Sequence, residues 1–353
     1  MTLLELENGR NNNIGLIRFI AASLVIFSHC YWLTCNELRE PLMKLCGMET
    51  FGSLGVDIFF SISGFLITKS LFRQASLQSF VWARILRIFP GLIASALFCA
   101  LIIGPIATTL PLSGYFKHPD VYDFIWRQST LLQYPNKLPG VFTQNPIVDN
   151  INSPIWTLPG ELFMYMLVFV TGVIVFIAQK KAKIIPSLVL LCPVLAYFWA
   201  MQYSSVYLNT ILWWLISFGG GAICYIFRKN IHLSTIAFIV MVVCFLVLFH
   251  FRFIYIRGAF DIVLLYGLLV FAYEPKLQFK PFYKMGDLSY GLYIYALPIQ
   301  QLIIQKNHIL IPYQLFLITY PIALCLAELS WYFIEKPSLK LKSFASIRAS
   351  AQK

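Results

Sequence analysis

The sequence predicts an all-α, polytopic integral membrane protein, and three observations carry that prediction. Of the 353 residues, 59% are hydrophobic and only 12% are charged, with a mean hydropathy of +0.74, outside the range of soluble globular domains. Apolar runs of the roughly 17–25 residues that cross about 30 Å of hydrocarbon recur at 14–33, 52–72, 88–109, 156–178, 184–201, 209–227, 233–250, 256–273, 286–305 and 311–334, which makes about ten transmembrane helices. Most of the 27 Lys and Arg residues, including Lys180, Lys181, Lys183, Arg228 and Lys229, fall on one side once these spans are threaded. By the positive-inside rule that side is the cytoplasm. Both termini are then cytoplasmic, and the net charge of +12 reflects topology instead of a nucleic-acid partner. Arg252 and Arg257, read as residues of a short outer loop, run against the trend.

The first span carries Arg18 and His29, polar groups that cost several kcal/mol at membrane depth unless something satisfies them, which makes both functional candidates. Eleven residues at about 100° each return the helix to nearly the same azimuth, so Arg18, Ala22, Val25 and His29 form one stripe with its polar ends roughly 16 Å apart.

The second span contains GVDIFFSISGFLI at 55–67. Its Gly55, Ser61, Ser63 and Gly64 suit close helix packing. Asp57 lies at about the depth of His29, which leaves two readings open, a contact with His29 or a solvated acid at a helix end. In the third block, FVWARILRIFPGL (80–92), Arg84 and Arg87 form an i, i+3 pair at the cytoplasmic mouth of the span. Pro90 just inside implies a kink or a helix start. Positive-inside anchoring is the bland account of both arginines.

The longest connection, Leu110 to Ile155, is rich in Pro, Asn and aromatic residues and reads as an acceptor-side lid. It leads into SPIWTLPGELFMYM (153–166), where Glu161 follows Pro159 and Gly160. A dipole-favoured acid at a helix N-terminus is its plain reading. His118, His232, His250 and His308 lie in or beside loops and read as surface histidines. The chain closes with LSYGLYIYALPIQ (288–300) and ELSWYFIEKPSLKLK (328–342). The division expected is a transmembrane domain over 1–342 and a short basic cytoplasmic tail over 343–353.

Eight cysteines, mostly within apolar spans, form no CxxC pair or His/Cys ligand set, so no metal site is expected. Cys35 and Cys46 share an outer loop, which leaves a disulfide between them open. Glu5 and Glu7 before a long first span argue against a cleavable signal.

Taken in order, these blocks resemble the acyltransferase 3 family, membrane-embedded enzymes that O-acylate, mostly O-acetylate, bacterial surface sugars and some small molecules. The matching features are Arg18 followed after ten residues by His29, then GVDIFFSISGFLI, then Arg84 and Arg87 with Ile88 and Pro90. Next come Trp156, Leu158, Glu161 and Tyr165, and finally SYGLYIY with FIEKP. Two positions depart: Leu162 stands where many relatives have a second acid, and Ala296 where many have a histidine, so neither group is needed by this chain's chemistry.

The resemblance implies an O-acyltransferase in the bacterial inner (cytoplasmic) membrane. Its donor would be acetyl-CoA, as co-substrate and not as a tightly bound cofactor. Its acceptor would be a hydroxyl of a cell-surface polysaccharide, such as a lipopolysaccharide O-antigen, or a lipid-linked oligosaccharide. Arg84, Arg87 and Arg18 suit the donor's phosphates, since guanidinium forks bind them in bidentate fashion. His29 suits a general base, with Glu161 or Asp57 orienting its ring; an acyl-histidine intermediate stays open. For donor and acceptor to meet at His29 from opposite sides, the face containing Ala22 has to form a passage. A secondary transporter of a sugar or anionic solute is the alternative from another class, because intramembrane Arg, His and acids beside broken helices are also transporter features.

Overall fold

The computed structural model describes residues 1–7, 12–73, 76–132, 137–177, 206–251, 256–280, 282 and 286–342. Among them the regular structure is helical, with two isolated backbone bridges, Thr2 to His232 and Thr108 to Val141. The helices are α1 Leu3–Glu7, α2 Ile14–Leu33, α3 Pro41–Cys46, α4 Phe51–Arg73, α5 Leu77–Phe98, α6 Gly104–Ala107, α7 Leu112–Lys117, α8 Pro119–Thr130 and α9 Thr157–Ile177. They continue as α10 Val206–Ile226, α11 Thr235–His250, α12 Ile256–Tyr273, α13 Ser289–Lys306, α14 Pro312–Ser330 and α15 Lys336–Lys340. Nine of the ten expected spans coincide with described helices; the run 184–201 and the tail 343–353 lie outside the described residues.

Among the described residues, six helical stretches are long and apolar enough to cross a membrane: Ile14–Leu33, Phe51–Arg73, Leu77–Ala107, Ser153–Val173, Ile256–Tyr273 and Pro312–Lys340. Their outer faces are apolar as well. Helix α11 has no buried residue, and its Ile236, Ile239, Val243 and Leu246 are exposed, as are Met166, Leu317 and Phe333. Water does not tolerate apolar patches of that extent; lipid does, so the chain is a multi-pass membrane protein.

Local chemistry sets the helix ends. Asn12 Oδ1 accepts from the Ile14 amide at the start of α2 (3.2 Å). At its end Cys35 takes φ 53° and the Asn36 amide returns to the Tyr31 carbonyl (2.8 Å), a left-handed stop of the kind that caps helices. The twenty residues between them span about 30 Å. Helix α5 begins at Leu77, eleven residues before the expected start of the third span, because Phe80, Ala83 and Leu86 bury one face of its first turns. Arg84, Arg87 and Pro90 are therefore interior to a helix, and Pro90 does not start one. Two wide π turns, Cys99–Ile103 and Trp331–Glu335, precede Pro105 and Pro337. Each proline lacks an amide and crowds the carbonyl four residues back, so the ladder opens by one residue there.

The chain divides into two compact units, one formed by 1–18, 56–77 and 161–285, the other by 19–55, 78–160 and 286–353. In the first, α4 and α10 cross at backbone distance. A Cβ on Gly64 would overlap the Phe218 carbonyl, and one on Gly221 the Ser61 carbonyl, so the small residues of the GVDIFFSISGFLI block serve the close approach expected of them. The N-terminus is tied into the same unit. The Leu3 amide donates to the Ile231 carbonyl (2.8 Å), and buried Glu7 collects Lys69, Arg73 (3.4 Å) and Arg228 (3.3 Å).

In the second unit α13 is the axis, with fourteen of its eighteen residues buried. Its polar groups are used to hold neighbours. Gln300 donates to the Ile26 carbonyl (2.9 Å) and Gln301 to the carbonyls of Ile147 and Asn150 (2.9 Å each). Asn145 donates to the Gln301 carbonyl (2.9 Å) and Asn152 to that of Ile294 (2.8 Å). Tyr290 and Tyr293 reach the carbonyls of Ile88 and Pro154 (2.8 Å each). The connection 110–155 is therefore a folded cap: α7 and α8 bury Tyr115, Val121 and Phe124 with Phe142 and Ile151 in one apolar cluster, and buried amides pin the segment that follows.

Candidate functional site

Arg18 and His29 lie on one uninterrupted helix, α2. Arg18 sits over the Phe59 ring (6.0 Å). His29 is half-buried, its ring 6.0 Å from that of Trp32, one turn on. The stripe between them is filled: Ala22 is fully buried and Val25 nearly so, and a Cβ added to Gly55 would lie 2.7 Å from the Ala21 carbonyl and from Val25 Cγ2. Packed protein occupies the middle of the face where an open passage was expected. Beside His29, Ser28 donates to Glu40 Oε2 (2.9 Å), and the Phe51 amide donates to the other oxygen of the same carboxylate. Burial pushes the Glu40 carboxyl above its usual range against the pull of those two donors. Nothing in the spacing of Glu40 marked it, since it sits in a loop between spans.

Asp57 is buried, which removes the solvated-acid reading. Its partner is Arg257, whose guanidinium also faces Asp261 (3.4 Å) and lies over the rings of Trp213 (5.1 Å) and Phe260 (5.6 Å). Arg257 is thus a counter-ion in the first turn of α12, not a loop charge, and its departure from the positive-inside pattern has a local cause. Replacing Arg257 with alanine leaves Asp57 buried without its cation. That costs about 3–5 kcal/mol in comparable pairs, so the variant should show a lowered melting temperature in detergent, and adding Asp57→Asn should restore part of it. An Arg257→Ala protein as stable as wild type would remove the pairing from the fold's energetics.

Glu161 accepts hydrogen bonds from Tyr165 and Ser63 (3.5 Å to the latter). Its described partners are neutral hydroxyls, so its charge is not cancelled by them. Tyr165 is the tyrosine of the W-x-L…E…Y block, four residues on and hence on the same helical face.

Arg84 and Arg87 rise from α5 in the second unit. Arg84 lies over the Phe80 ring (5.9 Å). Arg87 donates to Asp287 (2.6 Å), faces Glu335 (3.5 Å) and lies over Tyr290 (5.6 Å). Glu335 is itself buried and accepts from Ser330 (3.0 Å); the π turn at Trp331–Glu335 ends on it. Lys342, beyond the last span, shares this corner: burial and the charges of Arg84 and Arg87 hold its ammonium down to about 8. Arg87 is therefore an ion-pair hub, which the bare i, i+3 spacing could not distinguish from an anchor. Asp287, Asp261, Glu40 and Lys342 are the charged residues the sequence reading missed. Asp287, two residues before the SYGLYIY block, and Lys342, the last residue of ELSWYFIEKPSLKLK, stood beside signals that could have found them.

Cys35 and Cys46 both carry free thiols, and Cys46 points back at the Leu42 carbonyl (3.1 Å), which closes the disulfide question.

Residues 11–334 match the Acyl_transf_3 family, an acyltransferase domain. The chain is 30% identical to an O-acetyl transferase of Shigella phage Sf6 over 95% of its own length and 98% of the relative's. It is 29% identical to nodulation protein 10 of Rhizobium leguminosarum over 96% of each chain. Against a peptidoglycan O-acetyltransferase of Listeria monocytogenes, identity is 25% over 82% of this chain and 51% of that protein. No solved structure matches. A multi-pass helical protein matched across nearly its whole length by this family is a membrane O-acyltransferase, and the chain belongs to the acyltransferase 3 family.

Proposed function

We propose that the protein transfers an acetyl group from acetyl-CoA to a hydroxyl of a cell-surface polysaccharide or lipid-linked sugar, in the inner membrane of a bacterium. The family match over 11–334, with O-acetyl transferases among the relatives, carries this reading. It replaces the transporter alternative, which has no counterpart among those relatives.

In the proposed mechanism His29 takes the proton of the acceptor hydroxyl as its oxygen attacks the thioester carbonyl. The C–S bond then breaks, and the imidazolium returns the proton to the departing thiolate. Arg84, Arg87 and Arg18 are the cations assigned to the donor's phosphates, since their guanidinium forks suit bidentate contacts. Of the two acids, Glu161 has neutral hydroxyls as its described partners, which fits an orienting or proton-handling role, whereas Asp57 is paired with Arg257. The topology supports delivery of the donor from the cytoplasm: the N-terminus is tied to the 228–233 segment and to Lys69, Arg73 and Arg228, a basic end of the kind that faces inward.

The test is transfer itself. Membranes containing the protein, given acetyl-labelled acetyl-CoA and surface polysaccharide, should form base-labile O-acetyl ester, and cells lacking the protein should lose that ester from the polysaccharide. Label that stays in acetyl-CoA, with ester unchanged in the deletion, would reject the donor and acceptor together.

A further inference from the structure

We propose that Glu40 is a positioning residue for His29: its carboxylate, acting through Ser28, fixes the last turns of α2 against the start of α4 and so sets where the imidazole points. This rests on the reading of His29 as the base of the transfer. Glu40 is 1% exposed, and its backbone is held on both sides, the amide donating to the Glu37 carbonyl (3.0 Å) and the carbonyl accepting from the Lys44 amide (2.9 Å). One carboxylate oxygen takes the Ser28 hydroxyl (2.9 Å) and the other takes the amide of Phe51. Phe51 is the first residue of α4, so its amide is one of those a helix start leaves without an intrahelical acceptor. The positive end of that helix is also what lets a buried carboxylate rest on neutral donors.

Successive residues lie about 100° apart around a helix, so Ser28 and Cys30 flank His29 on its two sides, and both are tied. Ser28 is bound to Glu40. Cys30 accepts at its sulfur from the Gln300 amide (3.0 Å), which also donates to the Ile26 carbonyl (2.9 Å). There is no slack on the α4 side: a Cβ added to Gly52 would lie 2.8 Å from Ser28 Oγ and 3.1 Å from Ser28 Cβ. The ring of His29 itself has no hydrogen bond among the described residues, its neighbour being the Trp32 ring at 6.0 Å. Its direction is therefore set by the turn that carries it. Displacing a reacting group by about 1 Å costs on the order of 10²-fold in rate, so a clamp on that turn acts on the chemistry.

Acetyl transfer by the full-length protein in membranes, normalised to folded protein, is the measurement, with acetyl-CoA varied to separate kcat from KM. Ser28→Ala and Glu40→Gln should each lower kcat about tenfold or more and leave KM for acetyl-CoA unchanged. Because both break one link, the double variant should fall no further than the more impaired single variant. Gly52→Ala removes no polar group but pushes the Ser28 hydroxyl off the carboxylate, and it should lower kcat in the same way. Wild-type kcat per folded molecule in Ser28→Ala and Gly52→Ala would overturn the positioning role, as would losses that multiply in the double variant or that fall on KM alone. With His29→Ala inactive in the same membranes, the base reading would survive that result. A His29→Ala protein as active as wild type would overturn both.

Discussion

Replacing His29 with alanine is expected to lower acetyl transfer by at least about 10²–10⁴-fold, the contribution of a positioned general base, while the protein remains inserted and abundant. The structure supports the second half of that expectation. His29 is half-buried and packs against Trp32, whereas the interactions that hold α2 in the second unit run through its neighbours. Gln300 bonds to the Ile26 carbonyl, Ser28 to Glu40, and Cys30 and Leu33 lie in an apolar cluster with Leu297 and Leu315. Removing the imidazole leaves all of these in place. Ester formation is the readout for activity, with membrane abundance and detergent melting temperature as controls. A His29→Ala protein that transfers acetate at the wild-type rate would remove His29 from the chemistry. A protein lost from the membrane would instead assign it a packing role.

What the sequence could show follows from the distances over which its signals act. Span length and hydropathy are local, and nine predicted spans coincide with described helices. The Arg18–His29 stripe is also local, because a single helix carries both. Pairings across the fold left no such mark. Asp57 with Arg257 and Arg87 with Asp287 are each separated by 200 residues, and no periodicity connects them. Arg257 was therefore read as a loop charge and Arg87 as an equal of Arg84. The prolines, asparagines and aromatic residues of 110–155 mark it as a lid and not a linker, but they do not show what holds it: Asn145 and Asn152 spend their amides on α13, and such partners are invisible until that helix is in place. The start of α5 was missed because Phe80, Ala83 and Leu86 extend an apolar face in a segment whose arginines suggested a boundary.

The two arginines of α5 should separate under mutation, although their spacing makes them look alike. Arg84→Ala is expected to weaken coenzyme A binding about tenfold or more, since a charge-assisted contact to phosphate is worth about 1.5–3 kcal/mol. Arg84→Lys should recover only part of the loss, because the bidentate fork is gone. Arg87→Ala should weaken binding too, but it also strips the cation from Glu335, whose side chain is 2% exposed, and from Asp287. Breaking such a buried pair costs about 3–5 kcal/mol, so this variant should melt well below wild type. Combining Arg87→Ala with Glu335→Gln and Asp287→Asn removes the orphaned charges. The melting temperature should then recover while donor affinity does not, if Arg87 touches phosphate as well as the two acids. Recovery of both would make Arg87 a clasp between α5 and the chain's last helices, and would leave Arg84 to hold the donor without it. Wild-type affinity in Arg84→Ala and in the triple variant would make both arginines anchors and move the donor site elsewhere.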